Sequence, residues 1–74
     1  MSQNGMILDY LQKGHTLTQA EAISLFGCYR LGARIYEIRE QGFDVRREME
    51  QRVNRFGENV RFARYWLKDA NKKQ

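Results

Sequence analysis

The hydrophobic period of the chain changes near Phe43, and this change constrains the fold more strongly than any other feature. Up to Gly42 the apolar residues recur at three- and four-residue spacing, which is typical of helices, whereas from Val45 to Val53 the two sides of the segment alternate as in a strand. A chain of 74 residues has room for one small core. The sequence therefore predicts a single α+β domain in which helices precede a β-hairpin.

Two short helices are predicted in the first part of the chain. The first covers about residues 3–13, and the following Gly14 is the type of residue that commonly ends a helix. The second begins at Thr18, because this threonine and Glu21 three residues later match a capping box. It ends at Gly27 after about two turns, so it depends on tertiary packing for its stability.

A third helix and a hairpin complete the predicted domain. Three apolar residues at i, i+4 and i+7 define the buried stripe of this helix: Leu31, Ile35 and Ile38. Turn-forming residues at 54–59 precede a second strand at Val60–Leu67, which is rich in aromatic and β-branched residues. Residues 15–17, between the first two helices, could pair as an extended segment. Residues 68–74 have no apolar period and are predicted to form a frayed polar tail.

Positive charge is concentrated in the second part of the chain. All nine arginines lie from Arg30 onward, and residues 28–74 carry five more bases than acids, whereas residues 1–27 carry one more acid than bases. Such an asymmetry favours a surface that faces a polyanion, although a mixed-charge surface also serves solubility.

Five segments carry a resemblance to a known family: Ile7–Leu11, Thr18–Phe26, Phe26–Ile35, Asn54–Gly57 and Ala63–Leu67. In these segments, and in the order of helix, short helix, glycine turn, helix and hairpin, the sequence resembles the small winged helix-turn-helix domains of phages, prophages and plasmids. The resemblance implies a winged helix-turn-helix domain over residues 1–67. It also implies binding of double-stranded DNA, with the third helix in the major groove and the hairpin over the backbone or minor groove.

The start of the third helix supplies the candidates for reading bases. Tyr29, Arg30 and Ala33 suit base contact, since a guanidinium can bond two acceptors of guanine and alanine permits close approach. Arg34 is better placed for a phosphate, or for a salt bridge with Glu37. The turn before the helix is expected to be longer than the standard one, which leaves the groove-facing register open by about one residue. Another outward position, at residue 36, carries a tyrosine that could instead pack under the hairpin.

The hairpin offers Arg52, Arg55 and Arg61 around its tip. Arg55 is the candidate for the minor groove, where a narrow width strengthens the negative potential, although a solvated turn arginine is an equal alternative. Phe56 could act as a wedge between bases, but a phenylalanine that folds back over its own hairpin is the favoured interpretation.

Aromatic residues near the end of the second strand suggest a further surface. Strand alternation places Tyr65 and Leu67 toward the core, and leaves Phe62 and Trp66 on the opposite side. These two side chains either form an apolar patch for a homodimer or a protein partner, or lie buried against the first helix or the tail.

The residues argue against metal, cofactor and catalytic chemistry. With one histidine, His15, and one cysteine, Cys28, the usual ligands of a zinc site are missing, and Cys28 is expected to be a small buried thiol. No glycine-rich phosphate cradle and no paired carboxylates are found, so we expect neither an enzyme nor a cofactor. No apolar stretch is long enough to span a membrane, which favours a cytoplasmic protein.

We therefore expect a double-stranded DNA-binding protein, a transcriptional regulator or architectural factor of a phage or mobile element, at the nucleoid in the cytoplasm of a bacterial host. It could act as a homodimer. The alternative is a winged-helix module that docks onto a host or phage protein. The modest net charge of +4 motivates this alternative, as do five acids in the third helix and first strand that would repel phosphate: Glu37, Glu40, Asp44, Glu48 and Glu50.

Overall fold

Three helices and a three-stranded antiparallel sheet make up the fold in the computed structural model, which describes residues 2–69. Their order along the chain is α1 (Gln3–Gln12), β1 (Leu17–Thr18), α2 (Gln19–Phe26), α3 (Leu31–Glu40), β2 (Val45–Val53) and β3 (Asn59–Leu67). The predicted α+β class, with three helices before a β-hairpin, is confirmed.

Local side-chain chemistry fixes the ends of α2. The Thr18 hydroxyl accepts a hydrogen bond from the Glu21 backbone N–H at 3.2 Å, and the Glu21 carboxylate accepts from the Thr18 N–H at 3.0 Å. This is the predicted capping box. At the other end Gly27 adopts φ +64°, a backbone conformation that residues other than glycine rarely adopt.

The sheet has the strand order β1-β3-β2. Leu17 pairs with Tyr65 and Thr18 with Arg64, so the connector before α2 does pair as an extended segment. The hairpin pairs from Val45 with Leu67 to Val53 with Asn59. Because β1 covers two residues, the outer part of the hairpin is a ribbon of two strands.

Nine buried apolar side chains form the core: Ile7, Leu11, Leu17, Ala22, Cys28, Leu31, Ile35, Ile38 and Val45. Tyr65 and Leu67 pack against this cluster, as strand alternation predicts. They and Val45 define the helix-facing side of the hairpin, and the alternate residues define its outer side. Beyond Val45 every residue of β2 except the half-buried Glu50 is exposed, so the hairpin projects from the body, and the longest dimension of the molecule is 44 Å.

The structure also bears on the predicted lack of a membrane span, on the polar tail and on Cys28. No helix within residues 2–69 is long and apolar enough to cross a membrane. The Lys68 N–H donates to the Asp44 carbonyl at 2.9 Å, and residues 70–74 of the predicted tail lie outside the described residues. The Cys28 thiol is buried, which agrees with its predicted packing role.

Candidate nucleic-acid interface

The turn between α2 and α3 is held by the side chain of Gln19. Its amide donates to the Cys28 carbonyl at 2.7 Å and accepts from the Leu31 backbone N–H at 2.9 Å. Gln19 therefore caps the first amide of α3, and Arg30 at the N-cap position makes no capping hydrogen bond with its own side chain. The guanidinium of Arg30 remains available to a ligand. No local sequence pattern around Gln19 predicts this role, because its partners lie 9 and 12 positions away.

The helix begins at Leu31, so two of the predicted base-reading residues lie in the turn before it. Tyr29 is 75% exposed, and Arg30 is exposed beside it. Four residues separate α2 from α3, which is within the three to four of a standard helix-turn-helix turn, so the expected longer turn is wrong. Ala33 is half-buried in the first turn of the helix.

The outward face of α3 also includes two residues outside the predicted site. Tyr36 is 64% exposed, so its predicted alternative place under the hairpin is wrong. At Gly32 an added Cβ would meet no atom within 4 Å, which shows an open surface where the helix backbone is accessible. With Ala33, this glycine gives the start of α3 a low profile that allows close approach to a groove.

Two arginines of α3 are engaged within the fold. Arg34 donates through Nη2 to Oε2 of Glu37 at 3.4 Å, and its Nε approaches Oε1 to 3.2 Å without hydrogen-bond geometry. Glu37 also accepts from the Asn4 amide at 2.6 Å, which turns this flank toward α1. Arg39 donates twice to the Val45 carbonyl, at 3.1 and 2.8 Å, and so fixes the start of β2. The salt-bridge interpretation of Arg34 is the one that the structure displays.

The structure separates the three predicted hairpin arginines. Arg52 pairs with Val60 on the outer side, where it lies 3.9 Å from Glu50. Arg61 pairs with Gln51 on the helix-facing side. Arg55 lies in the tip between the strands. Arg52 and Arg61 therefore start from opposite sides of the wing. Arg47, which was not among the predicted DNA contacts, shares the helix-facing side with Arg61.

The arginines divide into an engaged set and a free set. Five of them contact carboxylates or a carbonyl within the fold: Arg34, Arg39, Arg46, Arg52 and Arg64. Within residues 2–69 the other four guanidinium groups form no ion pair and no hydrogen bond, and we call them the free arginines: Arg30, Arg47, Arg55 and Arg61. All four are exposed.

Comparison with known proteins decides the family. A family model described as a winged helix-turn-helix domain matches residues 2–70, nearly the whole chain. The chain belongs to the winged helix-turn-helix family. Membership suggests DNA binding, because such domains typically bind DNA and are not enzymes. No curated protein and no solved structure matches the chain significantly.

In this winged helix-turn-helix domain, α2 and α3 form the helix-turn-helix, and the hairpin Val45–Leu67 is the wing. Its ion pairs show how the wing is attached. Arg64 donates to both carboxylate oxygens of Glu50, at 2.6 and 3.2 Å, and reaches Glu21 at 3.5 Å and the Thr16 hydroxyl at 3.1 Å. Because Glu21 also belongs to the capping box, Arg64 ties both wing strands to the start of α2.

The same contacts change two pKa values. Hydrogen bonding to Arg64 lowers the pKa of Glu50, and the Glu50 carboxylate raises the pKa of Arg64. Because the pKa of Glu50 is lower in the folded state, its ionised form stabilises the fold at pH values above 4.5, the usual pKa of a glutamate. That stabilisation is lost as the pH falls from 4.5 through the lower pKa of the folded state.

We predict that Glu50→Gln flattens the loss of stability in acid. The variant lacks the carboxylate that must be protonated, so its free energy of unfolding falls less between about pH 6 and about pH 3 than that of the parent. Urea unfolding at the two pH values measures the difference. Glu48→Gln is the matched control, because Glu48 lies on the same strand and forms no ion pair within residues 2–69. An equal flattening in both variants would contradict the role of Glu50.

Phe62 and Trp66 do not form the single apolar patch that the sequence suggested. Both are half-buried on the outer side of the wing, and Arg64 lies between them on β3. Phe62 lines an open groove of about 370 Å³ with Thr18, Ala20, Glu21, Arg52 and Arg64. Trp66 lines a separate hollow with Gly14, His15 and Thr16. Two small surfaces replace the predicted patch.

His15 and the other potential metal ligands do not form a site within residues 2–69. The His15 ring stacks on Tyr10 with 4.4 Å between ring centroids. In the part of the chain that the structure describes, no three His, Cys, Asp or Glu side chains cluster as a metal site requires.

Proposed function

We propose that the protein is a sequence-specific binder of double-stranded DNA, in which α3 enters the major groove and the wing contacts the backbone or minor groove. Its proposed role is that of a transcriptional regulator or architectural factor of a phage or other mobile element. The proposed place of action is the nucleoid in the cytoplasm of a bacterial host.

The position of the free arginines carries this proposal. Arg30 lies at the start of α3, Arg47 and Arg61 share the helix-facing side of the wing, and Arg55 is at the wing tip. A guanidinium with no ion pair and no hydrogen bond in the fold keeps its full charge and its five donors for phosphate or base acceptors. These four side chains therefore extend from the helix-turn-helix to the end of the wing, along the two elements that a winged helix uses on DNA.

The start of α3 has the composition needed to read bases. Arg30 can donate two hydrogen bonds to the O6 and N7 atoms of a guanine, and Tyr29 is exposed beside it. Gly32 and Ala33 carry little or no side chain, so they do not hold the helix away from the base edges. Arg52 and Arg34, being engaged with acids, serve as secondary phosphate contacts in this proposal.

The acidic residues that favour a protein-docking module weigh less in the folded chain. Glu37 accepts hydrogen bonds from Asn4 and Arg34, and Asp44 and Glu50 accept from Arg46 and Arg64 respectively. Two of the five acids, Glu40 and Glu48, form no ion pair within residues 2–69. Local pairing thus removes most of the expected repulsion between these acids and phosphate.

A selection experiment tests the proposal. The purified protein is mixed with a pool of random double-stranded DNA at about 50 and about 200 mM salt, and the retained DNA is sequenced. We expect an enriched motif and a retention that falls with salt. A motif with two-fold symmetry would indicate a homodimer, because operator symmetry mirrors protein symmetry. No retention at the lower salt, together with recovery of a stoichiometric protein partner, would replace this proposal with the docking module.

A further inference from the structure

The loop at the wing tip is a closed hydrogen-bonded unit. The Asn54 side-chain oxygen accepts from the backbone N–H groups of Phe56 at 2.9 Å and Glu58 at 3.0 Å. The Asn54 N–H donates to the Glu58 carbonyl at 2.8 Å, and Gly57 adopts φ +78°. These backbone and Asn54 contacts close the loop without the ring of Phe56. The prediction that this ring folds back over the hairpin is wrong.

This fixed loop holds a large apolar ring in solvent. Phe56 is 76% exposed, the highest exposed fraction among the large hydrophobic side chains within residues 2–69. Its ring has a cation beside it, because the guanidinium carbon of Arg55 lies 5.5 Å from the ring centroid. The ring of Phe56 therefore contributes little to the stability of the fold and is accessible to a partner at the end of the projecting wing.

We propose that Phe56 is a wedge that inserts between adjacent base pairs from the minor groove and kinks the DNA, with Arg55 in the groove beside it. This inference rests on the proposed function and adds a deformation of the DNA to it. Apolar side chains that enter a base step from the minor groove unstack it and bend the duplex by about 20–90°.

The charges around the wing tip favour DNA as the partner that Phe56 contacts. Arg52, Arg55 and Arg61 lie within a few residues of Phe56, and the acid in this region is Glu58, which accepts from the Asn54 amide. An apolar pocket of a protein would remove water from these guanidinium groups without replacing their hydrogen bonds. The minor groove offers a base step to the ring and negative potential to the cations at the same time.

The length of the wing fits this placement. The exposed part of β2 from Arg47 to Val53 spans six residue steps, which is about 20 Å at about 3.3 Å per residue. Half a helical turn of B-DNA, the separation of a major groove from the next minor groove, is about 17 Å. With α3 in the major groove, the tip reaches the neighbouring minor groove.

Closure of a short DNA circle tests the wedge without a known target. The probe is a random-sequence duplex of about 120 base pairs, which is shorter than the persistence length of about 150 base pairs and therefore resists ligation into a circle. At saturating protein we expect the parent to accelerate closure by about tenfold or more, since kinks supply part of the curvature. Phe56→Ala should reduce the rate to about that of free DNA, and Phe56→Leu should retain part of the effect.

Two controls separate the wedge from binding and folding. Val53→Ala removes another exposed apolar side chain of the wing outside the tip, and it should close circles as the parent does. The affinity of Phe56→Ala should stay within about fivefold of the parent, because the lost contact and the avoided unstacking cost offset each other. Binding by the parent without accelerated closure, or equal closure by Phe56→Ala, would overturn the wedge and leave the proposed function intact. No binding by the parent at low salt would overturn both.

Discussion

Affinity for a fixed duplex should fall about 150-fold as salt rises from about 50 to about 200 mM, because about four neutralised phosphates give a log-log slope near −3.6. The number four follows from the free arginines, because each brings one unmatched positive charge to the DNA and can displace about one condensed counterion, whether it contacts a phosphate or, as proposed for Arg30, a base. Engaged arginines contribute less, since their charge is already matched by an acid of the fold. Fluorescence anisotropy of a labelled duplex of about 20 base pairs, measured across this salt range, gives the slope directly.

Single substitutions identify the arginines that set this slope. Arg47→Ala, Arg55→Ala and Arg61→Ala should each reduce its magnitude by about 0.9. Arg46→Ala is the matched control, because it removes the same charge from β2 but from a guanidinium that donates to both oxygens of Asp44, at 2.8 and 3.0 Å. A flat response of the parent to salt, or an equal reduction of the slope by Arg46→Ala, would contradict the division into free and engaged arginines.

The helices were predictable because their ends depend on neighbours in the sequence. The capping box joins Thr18 to Glu21, and Gly27 supplies the positive φ that closes α2. The stripe of Leu31, Ile35 and Ile38 is buried as its spacing indicates, since one face of a helix must leave water. Such signals lie within one or two turns and need no knowledge of the rest of the fold.

The contacts that define the site were not predictable in the same way. Arg34 with Glu37 is a pair three residues apart, and its spacing was enough to suggest it. Arg64 contacts Glu50 fourteen positions away and Glu21 forty-three positions away, so no local pattern reveals which acids it meets. Which arginines remain free depends on these distant choices, and the sequence alone leaves them undecided.

The two sides of the wing could have been separated by further use of alternation. Tyr65 was correctly placed toward the core, and parity along β3 then assigns Arg61 to the helix-facing side. The same counting from the buried Val45 assigns Arg47 to that side and Arg52 to the other. The position of Phe56 was missed for another reason. Hydrophobicity favours burial of the ring, whereas hydrogen bonds from Asn54 close the turn without it.

Arg30→Ala should reduce discrimination between the selected motif and a scrambled duplex by about 1–3 kcal/mol, which is about 5- to 150-fold in the ratio of the two Kd values. The expected loss is large because a guanidinium bound to two acceptors of one guanine contributes to one sequence and little to others. The structure supplies the reason for choosing this arginine. Arg30 is exposed immediately before the first residue of α3 and forms no ion pair within residues 2–69, so its five donors are available to a base.

Arg55→Ala is the control for Arg30→Ala, because the two substitutions should affect the two duplexes differently. A wing-tip arginine in the minor groove reads potential and groove width more than base identity, so its removal should weaken both duplexes by similar factors. Neither substitution should change the free energy of unfolding by more than about 0.5 kcal/mol, because both side chains are exposed and neither caps a helix. If Arg30→Ala also weakened both duplexes equally, Arg30 would be a phosphate contact, and base reading would have to come from the outward face of α3 around Ala33 and Tyr36.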